Sequence, residues 1–165
     1  LAKAKSVLMR KWLLLSLLVM VVDVYTKHLV QQFFQYGEHL PVTSFFDLVR
    51  FHNEGAAFSF LAAQGGWQRA FFSIVALVAS VVMVHLIRKH SAQTLFCFAL
   101  ALILGGALGN LYDRLTLGYV VDFLLFHSHG YQYYWPAFNV ADSAISLGVV
   151  MLLLDGFKKQ KTESI

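Results

Sequence analysis

Apolar residues are concentrated in four long runs of this 165-residue chain. A helix needs about 20 predominantly apolar residues to cross the hydrocarbon core of a bilayer, and each run reaches or approaches that length. No small-residue cleavage site follows the first run, so we expect it to be retained as a helix. The pattern predicts an all-α membrane protein with four transmembrane helices, at about 12–31, 70–87, 94–111 and 140–156.

The basic residues lie mainly at the ends of these runs. Nine of the thirteen Lys and Arg residues lie near the N-terminus, in the 88–93 connection or in the C-terminal tail. Cytoplasmic segments of membrane proteins are enriched in Lys and Arg, which predicts an inner-membrane protein with both termini in the cytoplasm. The longer connections, at about 35–68 and 112–138, are then expected to face outward. Because the basic residues form no single patch, nucleic-acid binding is not expected.

The two outward connections carry different patterns. Residues 45–52 and 56–61 are rich in β-branched and aromatic residues, and the Asn-Glu-Gly sequence at 53–55 is typical of a turn. We therefore predict a small outward-facing β-cradle at about 40–62. The second connection contains an aromatic cluster of the kind found at headgroup level, which predicts an interfacial outer loop: Tyr131, Tyr133, Tyr134 and Trp135. A single domain then accounts for residues 1–165.

The composition is typical of a membrane protein, and it limits the kinds of catalytic chemistry that the chain can carry out. The chain is 58% apolar and 13% charged, whereas soluble domains average about 45–50% apolar and about 25% charged residues. The single cysteine, Cys97, cannot form an internal disulfide. His127 and His129 are two residues apart and no zinc-binding or serine-nucleophile motif is present, so neither a metal nor another cofactor is expected. A hydrolase built on this chain would therefore use carboxylates to activate water.

Ionisable residues within membrane helices are costly and by default mark function. Asp23 and Lys27 are four residues apart and share one helix face, where they form either a self-neutralising ion pair or a support for an adjacent polar site. Asn110, Asp113 and Arg114 cluster at the outer end of the third run, as a polar helix end or as a polar fork beside a neighbouring helix.

Glycine spacing in the third run predicts how that helix packs. Gly105 and Gly109 form a small-xxx-small pair, which is more often a packing face than a functional site. We therefore expect this helix to approach a neighbour closely.

Two further aspartates stand out. Asp122 lies among aromatic and aliphatic residues without a local partner, so desolvation is expected to raise the pKa of its carboxyl group. Asp142 follows Asn139 by three residues, and two interpretations are open. It is either a capping residue in the first turn of the fourth helix or the second member of a catalytic pair with Asp122.

Four segments resemble the conserved boxes of the lipoprotein signal peptidases, the signal peptidase II family of aspartic membrane peptidases. They are Asp23 with Lys27, residues 53–58 (NEGAAF), residues 105–114 (GGALGNLYDR) with 120–123 (VVDF), and residues 138–143 (FNVADS). They occur in the family's order and cover essentially the whole chain. One position departs from the family pattern, since Val24 stands where a glutamine is usual.

The resemblance implies an activity and a set of residues. Asp122 and Asp142 fall on the family's catalytic pair, which activates a water molecule. The implied site-supporting positions are Asp23, Lys27, Asn53, Gly55, Asn110, Asp113, Arg114, Asn139 and Ala141. The implied substrates are prolipoproteins whose cysteine carries a diacylglyceryl group, cut just before that cysteine. We expect a monomer in contact with membrane lipid, with its active site at the outer face.

Two other classes of function are open to this sequence. A proton-coupled transporter would use Asp23, Asp122 and Asp142 as a relay, but the polar residues cluster at the outer helix ends and no inverted repeat is present. A structural assembly factor would leave Asp122 unexplained. The peptidase accounts for all three acids.

Overall fold

The computed structural model describes residues 2–55 and 67–163, with side chains described for 6–55 and 67–158. Four helices are present in these residues: α1 Ala2–Phe33, α2 Trp67–Lys89, α3 Thr94–Thr116 and α4 Val140–Glu163. Three strands accompany them: β1 His39–Thr43, β2 Phe46–Asn53 and β3 Val120–Phe126. Each helix is longer than the apolar run that predicts it, because polar and basic residues extend its ends.

Helix α3 lies at the centre of the bundle and packs against α1, α2 and α4. A Cβ atom added at Gly105 would lie 2.5 Å from the carbonyl oxygen of Ser16 in α1. A Cβ atom added at Gly106 would lie 2.5 Å from the carbonyl oxygen of Ala141 in α4. The glycine run therefore lets α3 approach two neighbours at backbone distance, as the small-xxx-small spacing predicts for one of them.

The helices expose apolar side chains and bury charged ones. Leu14 in α1 and Val81 in α2 are more than half exposed, whereas Asp23 and Lys27 are at most 1% exposed. Such an inverted arrangement is typical of helices surrounded by lipid. Three of the described helical segments are long and apolar enough to cross a membrane: Trp67–Lys89, Thr94–Thr116 and Val140–Lys158.

The strands form one antiparallel sheet in the order β1-β2-β3. The small sheet that the sequence predicts is therefore confirmed. β2 pairs with the preceding β1 through a tight turn between Thr43 and Phe46, and on its other side with β3. The segment 56–61 lies outside the described residues.

The α3–α4 connection contains a strand followed by a fold-back, where the sequence predicts an interfacial loop. After β3 the chain makes a 3-10 turn at His129–Tyr131 and returns along β3. Leu124 N–H donates to Phe138 O at 2.8 Å, and Phe138 N–H donates to Leu124 O at 3.0 Å. β3 is buried along most of its length, which explains why its sequence is a nearly continuous apolar run. Asp122 therefore lies within the sheet.

Candidate active site

Asp122 is the point at which three segments meet. Its side chain is 4% exposed and accepts two hydrogen bonds from amide groups. Asn53 Nδ2 donates to Oδ2 at 3.0 Å, and Asn139 Nδ2 donates to Oδ1 at 2.7 Å. Asn53 ends β2 and Asn139 immediately precedes α4, so the carboxylate joins the α1–α2 and α3–α4 connections to the start of the last helix.

Asp142 lies in the first turn of α4 and has two roles there. Asn139 Oδ1 accepts the Asp142 N–H at 3.0 Å, and Asp142 Oδ2 accepts the Asn139 N–H at 3.3 Å. This reciprocal pair is a capping box. The other carboxylate oxygen, Oδ1, accepts a hydrogen bond from Asn110 Nδ2 at 2.8 Å. The capping interpretation and the site interpretation of Asp142 are therefore compatible.

Three asparagines orient the two carboxylates, and each amide is itself fixed by a group that can only donate. Asn53 Oδ1 accepts the Gly55 N–H at 3.0 Å. Asn139 Oδ1 accepts the Asp142 N–H, and Asn110 Oδ1 accepts from Lys27 Nζ at 2.8 Å. Because the oxygen of each amide already accepts a hydrogen bond, the NH₂ group of the same amide faces the other way, toward a carboxylate.

Lys27 is the centre of a buried ionic network behind the pair. Its Nζ lies 2.7 Å from Asp23 Oδ2 and 3.3 Å from Asp113 Oδ2. The predicted Asp23–Lys27 pair is therefore present, and it also supports the site, because the same Nζ holds Asn110. Asp23 and Lys27 therefore form an ion pair and also support the neighbouring polar site, so both interpretations drawn from the sequence apply.

The two acids of this network hold the backbone that carries the pair. Asp23 Oδ1 accepts the Ala141 N–H at 2.8 Å, which fixes the start of α4 against α1. Asp113 Oδ2 accepts the Val121 N–H at 3.1 Å, which fixes β3 next to Asp122. A Cβ at Gly109 would collide with the Asp23 carboxylate, so a glycine is needed at that position.

Arg114 and Gly55 lie at the side of the site that faces the start of α2. The Arg114 guanidinium lies over the Phe72 ring, 5.4 Å from its centroid, and Nη1 donates to Asn110 O at 3.4 Å. Gly55 has φ +102°, and a Cβ there would lie 3.1 Å from Phe72 and 3.2 Å from Gln68. All of the site residues predicted from the sequence are therefore brought together around Asp122 and Asp142.

The Asp122 carboxyl group differs from an ordinary surface acid in its pKa. Burial, and after it the neighbouring Asp142 carboxylate, raises the pKa of Asp122 to about 7. The Asn53 and Asn139 amides act in the opposite direction. Two carboxylates that share one proton can activate a water molecule and protonate a carbonyl oxygen. Within the described residues, no group of three or more His, Cys, Asp or Glu side chains is arranged to hold a metal ion.

One buried acid is absent from the sequence-based list. Asp47 in β2 is completely buried and is bound by His39, His127 and Tyr131. It belongs to none of the motif boxes. Its signal in the sequence is positional, since Asp47 and Val49 occupy alternate positions of a strand whose inward face is otherwise apolar.

Apolar helices that hold the buried Asp122 carboxylate next to the half-buried Asp142 carboxylate define a membrane enzyme of the aspartic peptidase class. The family model described as signal peptidase (SPase) II matches residues 15–158. The lipoprotein signal peptidase of Ralstonia nicotianae is 55% identical over 90% of this chain and 84% of its own length. That of Cupriavidus necator is 50% identical over 95% of this chain and 89% of its own. The chain therefore belongs to the signal peptidase II family.

The fold agrees with this assignment. A bacterial membrane enzyme solved by the in meso method at 2.3 Å resolution superposes with a TM-score of 0.80 at 28% identity, covering 92% of this chain and 90% of the other. A second such structure, at 1.9 Å resolution, gives a TM-score of 0.76 at 27% identity, covering 88% and 91%. The helical bundle and the small sheet are thus shared with solved membrane enzymes.

Proposed function

We propose that Asp122 and Asp142 are the catalytic pair with which this lipoprotein signal peptidase removes signal peptides from prolipoproteins. The observation that supports this most directly is the bridging of both carboxylates by Asn139. It donates its side-chain amide to Asp122 and its backbone N–H to Asp142. Substrates carry a diacylglyceryl group on the cysteine that follows the cut, so their lipid chains remain in the bilayer while the peptide reaches the outer helix ends.

In the proposed mechanism one of the two acids donates a proton and the other accepts one. Asp122 holds the shared proton, because its pKa is raised to about 7. Asp142 acts as the base that takes a proton from the attacking water, while Asp122 donates to the carbonyl oxygen of the scissile amide. Asn110 and Asn139 keep both carboxylates in place during this exchange. All of these groups come from one chain, so a monomer contains a complete site.

We further propose that α1 is a fourth membrane span. Its charged residues near the outer end, Asp23 and Lys27, are buried and paired with each other at 2.7 Å. Its exposed side chains in the two turns before Asp23 are apolar, including Leu17, Leu18 and Val21. Lipid would therefore contact an apolar surface although the helix contains charges. With four spans both termini lie on the same side of the membrane. The basic residues near both termini favour the cytoplasmic side of a bacterial inner membrane, so the carboxylate pair would lie at the outer face.

The activity is tested with purified enzyme and a diacylglyceryl-modified prolipoprotein in the absence of any ion gradient. We expect cleavage before the modified cysteine by the wild type and none by Asp122→Asn. The same precursor without the lipid group is the matched control, and its cleavage should be much slower. Lack of cleavage of the lipidated precursor by a folded wild-type preparation would contradict the proposed function.

The topology is tested separately by cysteine labelling in intact cells with an impermeant thiol reagent. Tyr133→Cys in the fold-back, where the native side chain is 78% exposed, should be labelled. Ala92→Cys in the α2–α3 connection should be protected until the cells are permeabilised. The native Cys97 is buried and serves as the background. Labelling of position 92 from outside would contradict the four-span arrangement.

A further inference from the structure

A second polar cluster lies at the end of the sheet remote from Asp122. Asp47, near the start of β2, accepts hydrogen bonds from Tyr131 Oη at 2.7 Å, His127 Nε2 at 3.1 Å and His39 Nδ1 at 3.3 Å. These four side chains are here named the Asp47 clasp. They lie outside the motif boxes, and no step of the proposed mechanism uses them.

The contacts of His127 require a charged ring. Its Nδ1 lies 2.9 Å from the Ser128 carbonyl oxygen, and its Nε2 faces the Asp47 carboxylate. Both neighbours are acceptors, so both ring nitrogens carry a proton when both bonds form. Tyr131 stacks on the imidazolium with ring centroids 4.0 Å apart, an arrangement that stabilises a cation. The clasp is therefore a directional ion pair.

The backbone at Tyr131 shows that the clasp holds the fold-back in an unfavourable conformation. Tyr131 has φ +56°, a left-handed conformation that is uncommon for a bulky residue and persists only where tertiary contacts enforce it. The hydrogen bond to Asp47 and the stacking on His127 supply those contacts. The tip of the fold-back that leads to Asn139 is thus fixed to β2.

The clasp and the active site lie at opposite ends of the same strand. Asp47 is paired with Leu125 of β3, whereas Asn53 at the far end of β2 donates to Asp122. Six residues of extended strand separate them, or about 20 Å. β2 is therefore fixed to β3 by side chains at both ends.

Between these ends the pairing of β2 with β3 is irregular. Leu48 pairs with Leu124, but Phe51 pairs with Asp122, so the register shifts by one residue between them. A bulge of this kind can be lost through a one-residue slip, which moves a strand by about 3.3 Å. Such a slip would take the Asn53 amide out of hydrogen-bond distance of Asp122.

We propose that the Asp47 clasp sets the register of β2 against β3 and thereby positions Asn53 on Asp122. The proposal rests on the catalytic role proposed for Asp122. Asp47, His39, His127 and Tyr131 are positioning residues, since they act through Asn53 and touch neither Asp122 nor Asp142.

The pH profile of cleavage reports this role. The Asn53 amide lowers the pKa of Asp122, so loss of the amide contact raises that pKa and moves the alkaline limb of the profile to higher pH. The other charged groups that act on Asp122 come from different helices: Asp142 from α4, Lys27 from α1 and Arg114 from α3. These groups remain in place when the clasp is broken, so a shift of the alkaline limb indicates loss of the hydrogen bond between Asn53 and Asp122.

The kinetic test compares Asp47→Ala and Asn53→Ala, singly and together, in the purified full chain. Asp47→Ala should lower kcat at least about tenfold with a smaller change in KM, and should shift the alkaline limb in the same direction as Asn53→Ala. The double variant should be no slower than Asn53→Ala alone, because both act through one contact. His129→Ala, an exposed histidine of the same fold-back, should keep wild-type activity. Effects of the two alanine variants that multiply would overturn the proposal.

A structural readout separates this proposal from the proposed function. Cysteines introduced at Leu48 and Leu124, which are register partners, should form a disulfide rapidly in membranes when the clasp is intact. Asp47→Ala, or Tyr131→Phe if the alanine variant does not fold, should slow that reaction. Equal cross-linking with and without the clasp would overturn the proposal. Cleavage by Asp122→Asn would instead overturn the proposed function. The cross-linking comparison would still test whether the clasp sets the register of β2 against β3, because it does not depend on cleavage.

Discussion

One small sheet holds two buried aspartates with opposite properties. Asp122 is 4% exposed and Asp47 is completely buried, so the extent of burial does not distinguish them. Burial and the Asp142 carboxylate raise the pKa of Asp122 to about 7. Burial alone would also raise the pKa of Asp47, but the hydrogen bonds from Tyr131, His127 and His39 outweigh it and lower that pKa.

The difference lies in the kind of donor that surrounds each acid. Asp122 is held by two neutral amides, which orient the carboxylate but leave it able to take up a proton. Asp47 is held by a phenol and two histidines, and the charged ring of His127 in particular favours the ionised form. Amide donors thus suit an acid that exchanges protons, and a charged donor suits an acid that fixes a structure.

The largest expected effect comes from removing either member of the pair. Asp122→Asn and Asp142→Asn should each lower kcat by about 10²–10⁴-fold or more, with the protein still folded and inserted. The double variant should be little worse than either single variant, because groups that act as a unit are not additive. Cleavage of a diacylglyceryl prolipoprotein, in a preparation free of endogenous enzyme, measures this.

The matched control is the other buried aspartate. Asp47→Asn removes a carboxylate that is at least as buried, yet the proton-exchanging pair remains intact. Its activity should fall far less than that of the Asp122 or Asp142 variants. If Asp142→Asn cleaves almost as well as the wild type, Asp142 is only a capping residue, with an expected cost of about 0.3–1 kcal/mol of stability.

The second prediction concerns pH and the wild-type enzyme. Because the pair needs one shared proton, kcat against pH should be bell-shaped, with two apparent pKa values that belong to the pair. The raised pKa of Asp122, about 7, places the alkaline limb near neutrality. Above it, activity should fall by about tenfold per pH unit as the proton is lost. A profile that stays flat well above neutrality would exclude Asp122 as the proton donor.

The third prediction contrasts the cations of the two regions. His127 pairs directly with Asp47, whereas Arg114 forms no salt bridge within the part of the chain that the structure describes. Its planar guanidinium lies over Phe72, so the donors other than Nη1, which binds Asn110 O, remain available to substrate carbonyl groups. Arg114→Lys keeps the charge but loses the planar fork, and cleavage should fall by about tenfold. Wild-type cleavage by this variant would show that only the charge matters.

The sequence singles out Asp122 and Asp142 as candidate site residues because the signals around them are local. Asp122 stands out as an unpaired acid in an apolar run, and Asn139 and Asp142 have the three-residue spacing of a capping box. Asp23 and Lys27 share a helix face at a spacing of four residues. Each of these signals can be recognised within a short window of sequence.

The partners of these residues could not be predicted in the same way. The contacts of Lys27 with Asn110 and Asp113 span more than eighty residues, and the pairing of β2 with β3 joins the α1–α2 and α3–α4 connections. The Asp47 clasp depends on that pairing and on a fold-back that returns along β3. Such contacts follow from how the helices and strands pack, which no local pattern specifies.

The smallest expected effect is the pH dependence of stability that the clasp confers. Because the pKa of Asp47 is lowered in the folded protein, its contribution is present above the ordinary value of 3.8 and is lost as pH falls through the lowered pKa. The hydrogen bonds to Ser128 and Asp47 raise the pKa of His127, so its contribution is complete below 6.5 and is lost as pH rises through the raised value. Both contributions are therefore complete between pH 3.8 and pH 6.5.

The measurement is the thermal unfolding midpoint of the purified full chain at several pH values, for the wild type and for His127→Gln. The glutamine can still donate one hydrogen bond to Asp47 but carries no charge. The wild type should be more stable than this variant below pH 6.5, and the difference should shrink as pH rises through the raised pKa of His127. His129→Gln, in the same fold-back, should follow the wild type at every pH. A difference that is constant from about pH 5 to about pH 9 would show that the charge of His127 does not contribute, because a neutral ring alone would have no such dependence.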